Sequence, residues 1–297
     1  MPKHIIIILV LCFVTKSYSQ IDPSLFSLDY TLAPLGDDDF DFYKTSINFK
    51  VPVKLKKGIL VNSVKADFFE LQYHNNHSFT TDDLNNFYNF NYGLMYSYPI
   101  DKKWNISAKA GISAVSNFTS GLNSDDLLFN SGVFMAKKGG TIKKPSLLMF
   151  GLGYTAISGK PRVLPFINYT KKVSPKFSFG VGFPNLFARY RMNDKNSLKT
   201  SLSMDGFYSN LSNSVAVDAF NEAEKALFRT VMLDVEYQYW MSDFWAITFK
   251  TGYSVYSIYE LEDANNNTVY EFDATSKPYF STGIKFNLSK KINKNRK

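Results

Sequence analysis

Apolar and polar side chains alternate along most of this chain. Residues 46–55 set Ile47, Phe49, Val51, Val53 and Leu55 against Ser46, Asn48, Lys50, Pro52 and Lys54. The segment 88–100 repeats the pattern with Tyr88, Phe90, Tyr92, Leu94, Tyr96, Tyr98 and Ile100, and 104–114 with Trp104, Ile106, Ala108, Ala110, Ile112 and Ala114. It returns late in the chain as Val231, Leu233, Val235, Tyr237 and Tyr239, then Trp245, Ile247, Phe249, Tyr253 and Val255. A period of two is the mark of a strand, because successive side chains point to opposite faces of a sheet. The pattern predicts about fourteen strands, with twelve as the lower count. They fall at 25–33, 42–55, 59–73, 87–100, 104–116, 127–137, 146–155, 163–171, 177–183, 186–192, 197–208, 227–241, 244–258 and 278–288.

The connections between these strands come in two alternating kinds. Tight links stand at 56–58, 101–103, 174–176, 193–196 and 241–243, with 138–145 longer but in the same phase. Long links at 74–86, 117–126, 209–226 and 259–277 separate them. Charge follows the same phase: Lys56, Lys57, Lys102, Lys103, Lys143 and Lys144 lie on the short side, while Asp37 to Asp39, Asp82, Asp83, Asp125, Asp126, Glu260 and Glu262 collect on the long side. Short turns at one end and long loops at the other are the layout of an outer-membrane barrel, with periplasmic turns and external loops. The expected fold is therefore all-β, a closed antiparallel transmembrane barrel whose Tyr, Phe, Leu and Ile face looks at lipid. Closure is required there, since hydrocarbon offers no partner for a free backbone edge.

Composition sharpens this picture. Aromatic residues make up 16% of the chain, with 27 Phe, 19 Tyr and only 3 Trp. Tyr98, Trp104, Tyr239 and Trp245 stand beside short turns, where an interfacial aromatic girdle belongs. Lys3 and His4, the apolar run Ile5 to Val14 and the small residues Ser17 and Ser19 form a signal peptide over 1–19, cleaved before Gln20. The barrel then occupies 20–288, followed by a basic periplasmic tail at 289–297. The one cysteine, Cys12, falls in the leader, so the exported chain has no Cys nucleophile, disulfide or Cys-bound metal. The formal charge of +8 drops to about +1 over 20–288 once Lys3, Lys16 and the five basic residues of 290–297 are set aside, which speaks against a nucleic-acid partner.

Register predicts the interior. With Tyr239 opposite Trp245 across a turn at 241–243, Val235 stands opposite Phe249 toward lipid and Asp234 opposite Lys250 inside. This places a luminal charge cluster of Asp234, Glu236 and Lys250, joined by Arg189, Arg191 and Asp205 from neighbouring strands. Residues 59–73 change phase and predict a bulge or a strand apolar on both faces. The stretch 146–183 is apolar on both faces as well, which allows an apolar luminal patch, a plug or a route for hydrophobic molecules. In 209–226, "DAFNEAEKALF" predicts a short helix over the external mouth with Asp218 as its N-cap.

The block "VLPFINYTKKVSPKFSFGVGFPNLFARYRMNDKNSLKTSLSMDG" at 163–206, with Ser174-Pro175-Lys176, Gly182-Phe183-Pro184 and Arg189-Tyr190-Arg191, resembles an uncharacterised Bacteroidetes-type family of outer-membrane β-barrels, grouped as a domain of unknown function. The early pieces "SLDYTLAP" and "INFKVPVKL" fit it too. The resemblance implies a fold and a place in the cell, and no reaction.

Catalytic groupings are poor. His74 and His77 are the only histidines after the leader, and they stand alone as metal candidates on a predicted external loop without the neighbouring acids or Cys that would complete a ligand set. Ser78 beside them lacks a rigid scaffold for a hydrolase triad. Gly151-Leu152-Gly153 and Gly180-Val181-Gly182 lie inside strands rather than before a helix, so they predict no phosphate site and no cofactor. The expected function is a non-enzymatic narrow pore, a channel for a small solute or hydrophobic molecule, or a structural envelope protein in contact with outer-membrane lipid. A barrel enzyme acting on lipid and a secreted β-sandwich or lipocalin-like binding protein are the alternatives.

Overall fold

The computed structural model describes residues 24–33, 39–74, 77–157 and 159–288; the predicted leader, the basic tail and Asp37 and Asp38 lie outside them. The alternating segments form β1 (Phe26–Ala33), β2 (Phe40–Leu55), β3 (Gly58–Tyr73), β4 (Asn86–Pro99) and β5 (Trp104–Ser116). They continue as β6 (Leu127–Gly140), β7 (Pro145–Thr155), β8 (Arg162–Lys172), β9 (Phe177–Phe183) and β10 (Leu186–Arg191). The last are β11 (Asn196–Ala216), β12 (Glu222–Trp240), β13 (Trp245–Glu262), β14 (Thr268–Phe272) and β15 (Pro278–Phe286). Each of β1 to β13 pairs antiparallel with the next, and β15 pairs with both β13 and β1, which closes the ring. β14 sits above β15 on the same partner, β13, so the closed barrel has fourteen strands.

Four of the short turns share one local device. Asp101 accepts the backbone N–H of Lys103 (2.6 Å) and Trp104 (2.8 Å), and Asn193 accepts those of Lys195 and Asn196 (both 2.9 Å). Ser174 and Ser242 do the same for the residues two and three positions on. A side-chain oxygen that replaces a backbone acceptor holds the chain in a tight reversal. This fixes the strand pairing that follows.

Outward positions carry exposed apolar side chains around the ring, among them Ile47, Phe49, Phe90, Leu152, Ile167, Leu233 and Phe249. Inward positions divide by height. Toward the short turns they are largely polar and charged on β1 to β3 and β10 to β15 but apolar on β6 and β7, where Ala136, Leu147 and Met149 face inward; in the external half they form a buried core of Phe40, Phe69, Phe87, Phe207, Phe228 and Tyr259. The two-faced sequence of 59–73 is explained by this division. β3 pairs with β2 and β4 without a register shift, sends Val64, Ala66 and Phe68 outward, and turns Phe69, Leu71 and Tyr73 into the external core.

The strands differ greatly in length. β11, β12 and β13 run 21, 19 and 18 residues, whereas β9 and β10 have 7 and 6. The upper part of β11 leans across to β5, where Asn210 bridges Ser116 and the amide of Ser212 donates to Asn117 Oδ1 (2.9 Å). The external core therefore lies among β1 to β5 and β11 to β15, touched by Leu128 of β6, with β7 to β10 outside it.

Two sequence expectations are corrected here. No helix covers 218–228: β11 and β12 continue as a hairpin, and Asp218 caps the reversal by accepting the N–H of Phe220 (2.8 Å) and Asn221 (2.9 Å). Ala226 and Phe228 alternate inward, Ala223 is buried near the reversal, and that burial outweighs the helix propensity of Ala, Glu and Lys. The predicted loop 259–277 contains the end of β13 and all of β14, whose Phe272 stacks on Tyr259 at 4.4 Å.

Candidate functional site

The charged interior is built from strand positions that point away from lipid. Lys44 on β2 is buried, donates to Asp205 on β11 and stands 3.8 Å from Asp67 on β3. Asp67 is held further by Lys65 (2.7 Å) and by a hydrogen bond from Ser46. A second group lies nearer the short turns: Glu236 on β12 pairs with Lys285 on β15 at 3.0 Å, with Lys250 and Lys199 opposite it on the flanking strands. Asp234 is buried and held differently, accepting from Ser201 (2.7 Å) and from the Tyr279 hydroxyl (3.0 Å).

These positions correct the predicted register while keeping its faces. Tyr239 stands opposite Ile247, Val235 opposite Thr251, Asp234 opposite Gly252 and Glu236 opposite Lys250. The reversal is centred on Ser242–Phe244 because Ser242 captures the amides of Phe244 and Trp245, which moves the pairing by two residues. A shift of two leaves every side chain on its original face. The predicted cluster is consequently distributed: Asp205 joins Lys44, Asp234 joins Tyr279, and Glu236 joins Lys285 and Lys250.

Arg189 and Arg191 on β10 also point inward, with Arg189 directly opposite Lys199, which in turn stands opposite Glu236. The Arg189 and Lys199 cations each lie 5.9 Å from the ring of Phe187, and Arg189 Nε is buried without a protein acceptor. Arg191 is exposed. Lys44, Asp67, Lys199 and Lys285 were not among the predicted residues. The signal for them was present in the alternation, since each occupies the polar phase of a strand whose other phase is apolar.

The lumen is hollow below and packed above. Lys109 points inward yet is exposed, its inward neighbour Met95 is 36% exposed, and the Lys65 side chain is 43% exposed. In the external half, Phe40 and Tyr259 are at most 1% exposed and their rings meet edge to face at 5.2 Å. Tyr73 and Tyr259 share a hydrogen bond of 2.8 Å there, and the Lys277 ammonium lies 5.0 Å from the Phe40 ring. Side chains of this size, packed at native density, fill the external half beside β1 to β5 and β11 to β15.

The histidines do not converge. His74 pairs with Asp41 at 3.2 Å, while His77 Nδ1 meets the Tyr270 hydroxyl at 3.1 Å among aromatic rings. Among the described residues no group of three or more His, Cys, Asp or Glu is placed to hold a metal. On the outer surface, Tyr98, Tyr239 and Trp245 are exposed beside the short turns, and Trp104 lies under the Lys137 ammonium at 5.1 Å.

Among solved structures the chain is similar to a NanC porin, at 10% identity and a TM-score of 0.43 over 89% of this chain and 100% of that one. It is similar also to a KdgM porin (10%, 0.34, 88% and 98%) and to LpxR from Salmonella typhimurium (7%, 0.37, 88% and 99%). Likenesses this remote carry no inference about activity. No functionally curated protein matches the sequence. A family profile described as "Domain of unknown function (DUF6268)" matches residues 36–293, and the chain belongs to that family.

Proposed function

We propose that this protein is an integral outer-membrane β-barrel that works without catalysis as a channel for small or hydrophobic molecules, with its external mouth shut in the conformation described. The observation that carries this reading is the vertical contrast inside the ring: exposed Lys109 and Lys65 below, and a buried aromatic core above. A barrel of purely structural role would be filled along its length. Among the described residues inward Lys and Arg side chains outnumber the inward acids, and Lys50, Lys109, Lys199 and Arg191 have no described carboxylate within ion-pair distance, so the lumen favours anions. Outer-membrane placement follows from the lipid-facing belt together with the predicted leader, and a Bacteroidetes-type origin from the family resemblance.

The test is conductance in a planar bilayer, using refolded protein whose SDS mobility changes on boiling. The native chain is expected to conduct rarely. Phe40→Ala/Tyr259→Ala, which opens the aromatic core, is expected to give persistent steps that favour anions, and adding Lys109→Gln is expected to weaken that preference. Silence from inserted protein carrying the opened core would overturn the channel reading.

A further inference from the structure

The wall of the barrel is incomplete on one side. β9 and β10, at 7 and 6 residues, are shorter than the roughly 9–11 residues with which a tilted strand crosses a bilayer. At about 3.3 Å per residue and a tilt of about 40° they rise roughly 15–18 Å, against an apolar band about 25 Å tall. Their connection at Pro184 and Asn185 therefore ends inside the outer leaflet.

Above that connection the ladders stop. β8 pairs with β9 only as far as Ile167 opposite Phe183, and β10 pairs with β11 only as far as Leu186 opposite Leu202. Residues 163–166 of β8 and 203–209 of β11 consequently have no described strand beside them on the facing edges. Pro165 lies on one of these edges and lacks the N–H that would otherwise be left without an acceptor. At the upper rim Gly159 lies beside Leu227 of β12, and Lys160 reaches the end of β13. Lys160 Nζ stands 3.0 Å from the buried Glu262 carboxylate and donates to the Asn266 carbonyl at 2.8 Å.

Behind this gap the inward surface is apolar first and basic below. Phe166 contacts Phe134 edge to face at 5.5 Å and meets Phe183, at the lip, at 5.7 Å. Deeper lie Arg189 and Lys199, directly opposite each other on β10 and β11 and each 5.9 Å from the Phe187 ring, with Arg189 Nε buried and unpartnered among the described residues.

We propose that the gap between β8 and β11 is a lateral window through which a single-chain anionic amphiphile, an alkyl carboxylate, passes between the outer leaflet and the lumen. The alkyl chain lies against Phe134 and Phe166, and the carboxylate meets Arg189 and Lys199. This rests on the channel reading and gives it a substrate class. The shut mouth and the side opening belong together, because a hydrophobic chain enters from lipid without crossing the packed external core.

The probe is dansyl-labelled undecanoate, titrated into the refolded full-length barrel in detergent and followed by fluorescence. Saturable binding is expected, displaced by decanoate and not by decylammonium. Arg189→Gln/Lys199→Gln is expected to weaken binding about tenfold while the boiling-dependent mobility shift is kept. Adding one residue pair to each of β9 and β10, which raises the lip, is expected to abolish it. Equal displacement by decylammonium, or unchanged binding in the double-charge variant, overturns the window. If the opened-core variant conducts while the dansyl probe does not bind, the window alone is refuted; if neither occurs, the channel reading falls with it.

Discussion

Lys44 shows how a single residue ties distant parts of the ring. Its side chain is 6% exposed, pairs with acids from β3 and β11, and rests 4.8 Å from the Phe69 ring at the base of the aromatic core. A cation taken out of water is costly unless paired, and removing one partner leaves the other charge buried and uncompensated. Asp67 at 3.8 Å still faces Lys44 when Asp205 is removed, so Asp205→Asn is expected to destabilise the folded barrel by about 1.5–3 kcal/mol in urea unfolding, and a loss under about 1 kcal/mol would mean that the pair is hydrated from the lumen. At the external rim, Asp263 shows a different residue effect. Hydrogen bonds from the Asn267 side chain, the Asn267 amide and the Asn265 amide hold its carboxyl below the ordinary value of 3.8. A carboxyl depressed in the folded state stabilises its loop above that ordinary value and loses the contribution as pH falls through the depressed one. Protection of the Asn265 and Asn267 amides, relative to their intrinsic exchange, is expected to fall below about pH 4, and Asp263→Ala is expected to remove that pH dependence.

At the scale of elements, the lengths and bends of a few strands matter most. Gly206 in β11 has φ of 142°, and a Cβ there would stand 2.0 Å from the Phe228 carbonyl oxygen. The bend it permits lies where β11 begins to lean toward β5. Gly206→Ala is expected to lower stability by more than about 1 kcal/mol, read as a lower urea midpoint and a weaker boiling-dependent shift. Gly182, with φ of 140° and the Ile167 carbonyl at 1.9 Å from a Cβ, plays the same part at the top of β9. The β11–β12 hairpin is the element that propensity misjudged. Ala223, Ala226 and the charged residues between them suit a helix in isolation, yet the register from Asn196 opposite Tyr239 up to Asn210 opposite Lys225 carries the ladder upward past that choice.

On the scale of the whole molecule, the ring sorts its side chains by two coordinates. Facing lipid or lumen follows from strand parity, and this was legible: the exposed belt of Ile47, Phe90, Leu233 and Phe249 and the inward Asp234, Glu236 and Lys250 lie on the faces that alternation assigned. Height is the second coordinate, and it was read only in part. Phe40, Phe87 and Phe207 look in sequence like any other strand aromatics, so nothing marked them as a shared core across the external mouth. The partners of the charged residues were equally hidden, because Lys44 meets Asp205 across 161 positions of sequence.

What the sequence by itself determined is the local and periodic part: strands, short and long connections, two faces and a closed ring. These follow from backbone pleating, from Asp, Asn and Ser capping the tight turns, and from the cost of a free edge in lipid. What only the tertiary structure decided is where those faces meet. Closure brings β2, β3 and β11 to one point, bends β11 over to β5, and leaves β9 and β10 too short to complete the wall. Contacts between residues far apart in the chain depend on closure and register together, which no local pattern encodes.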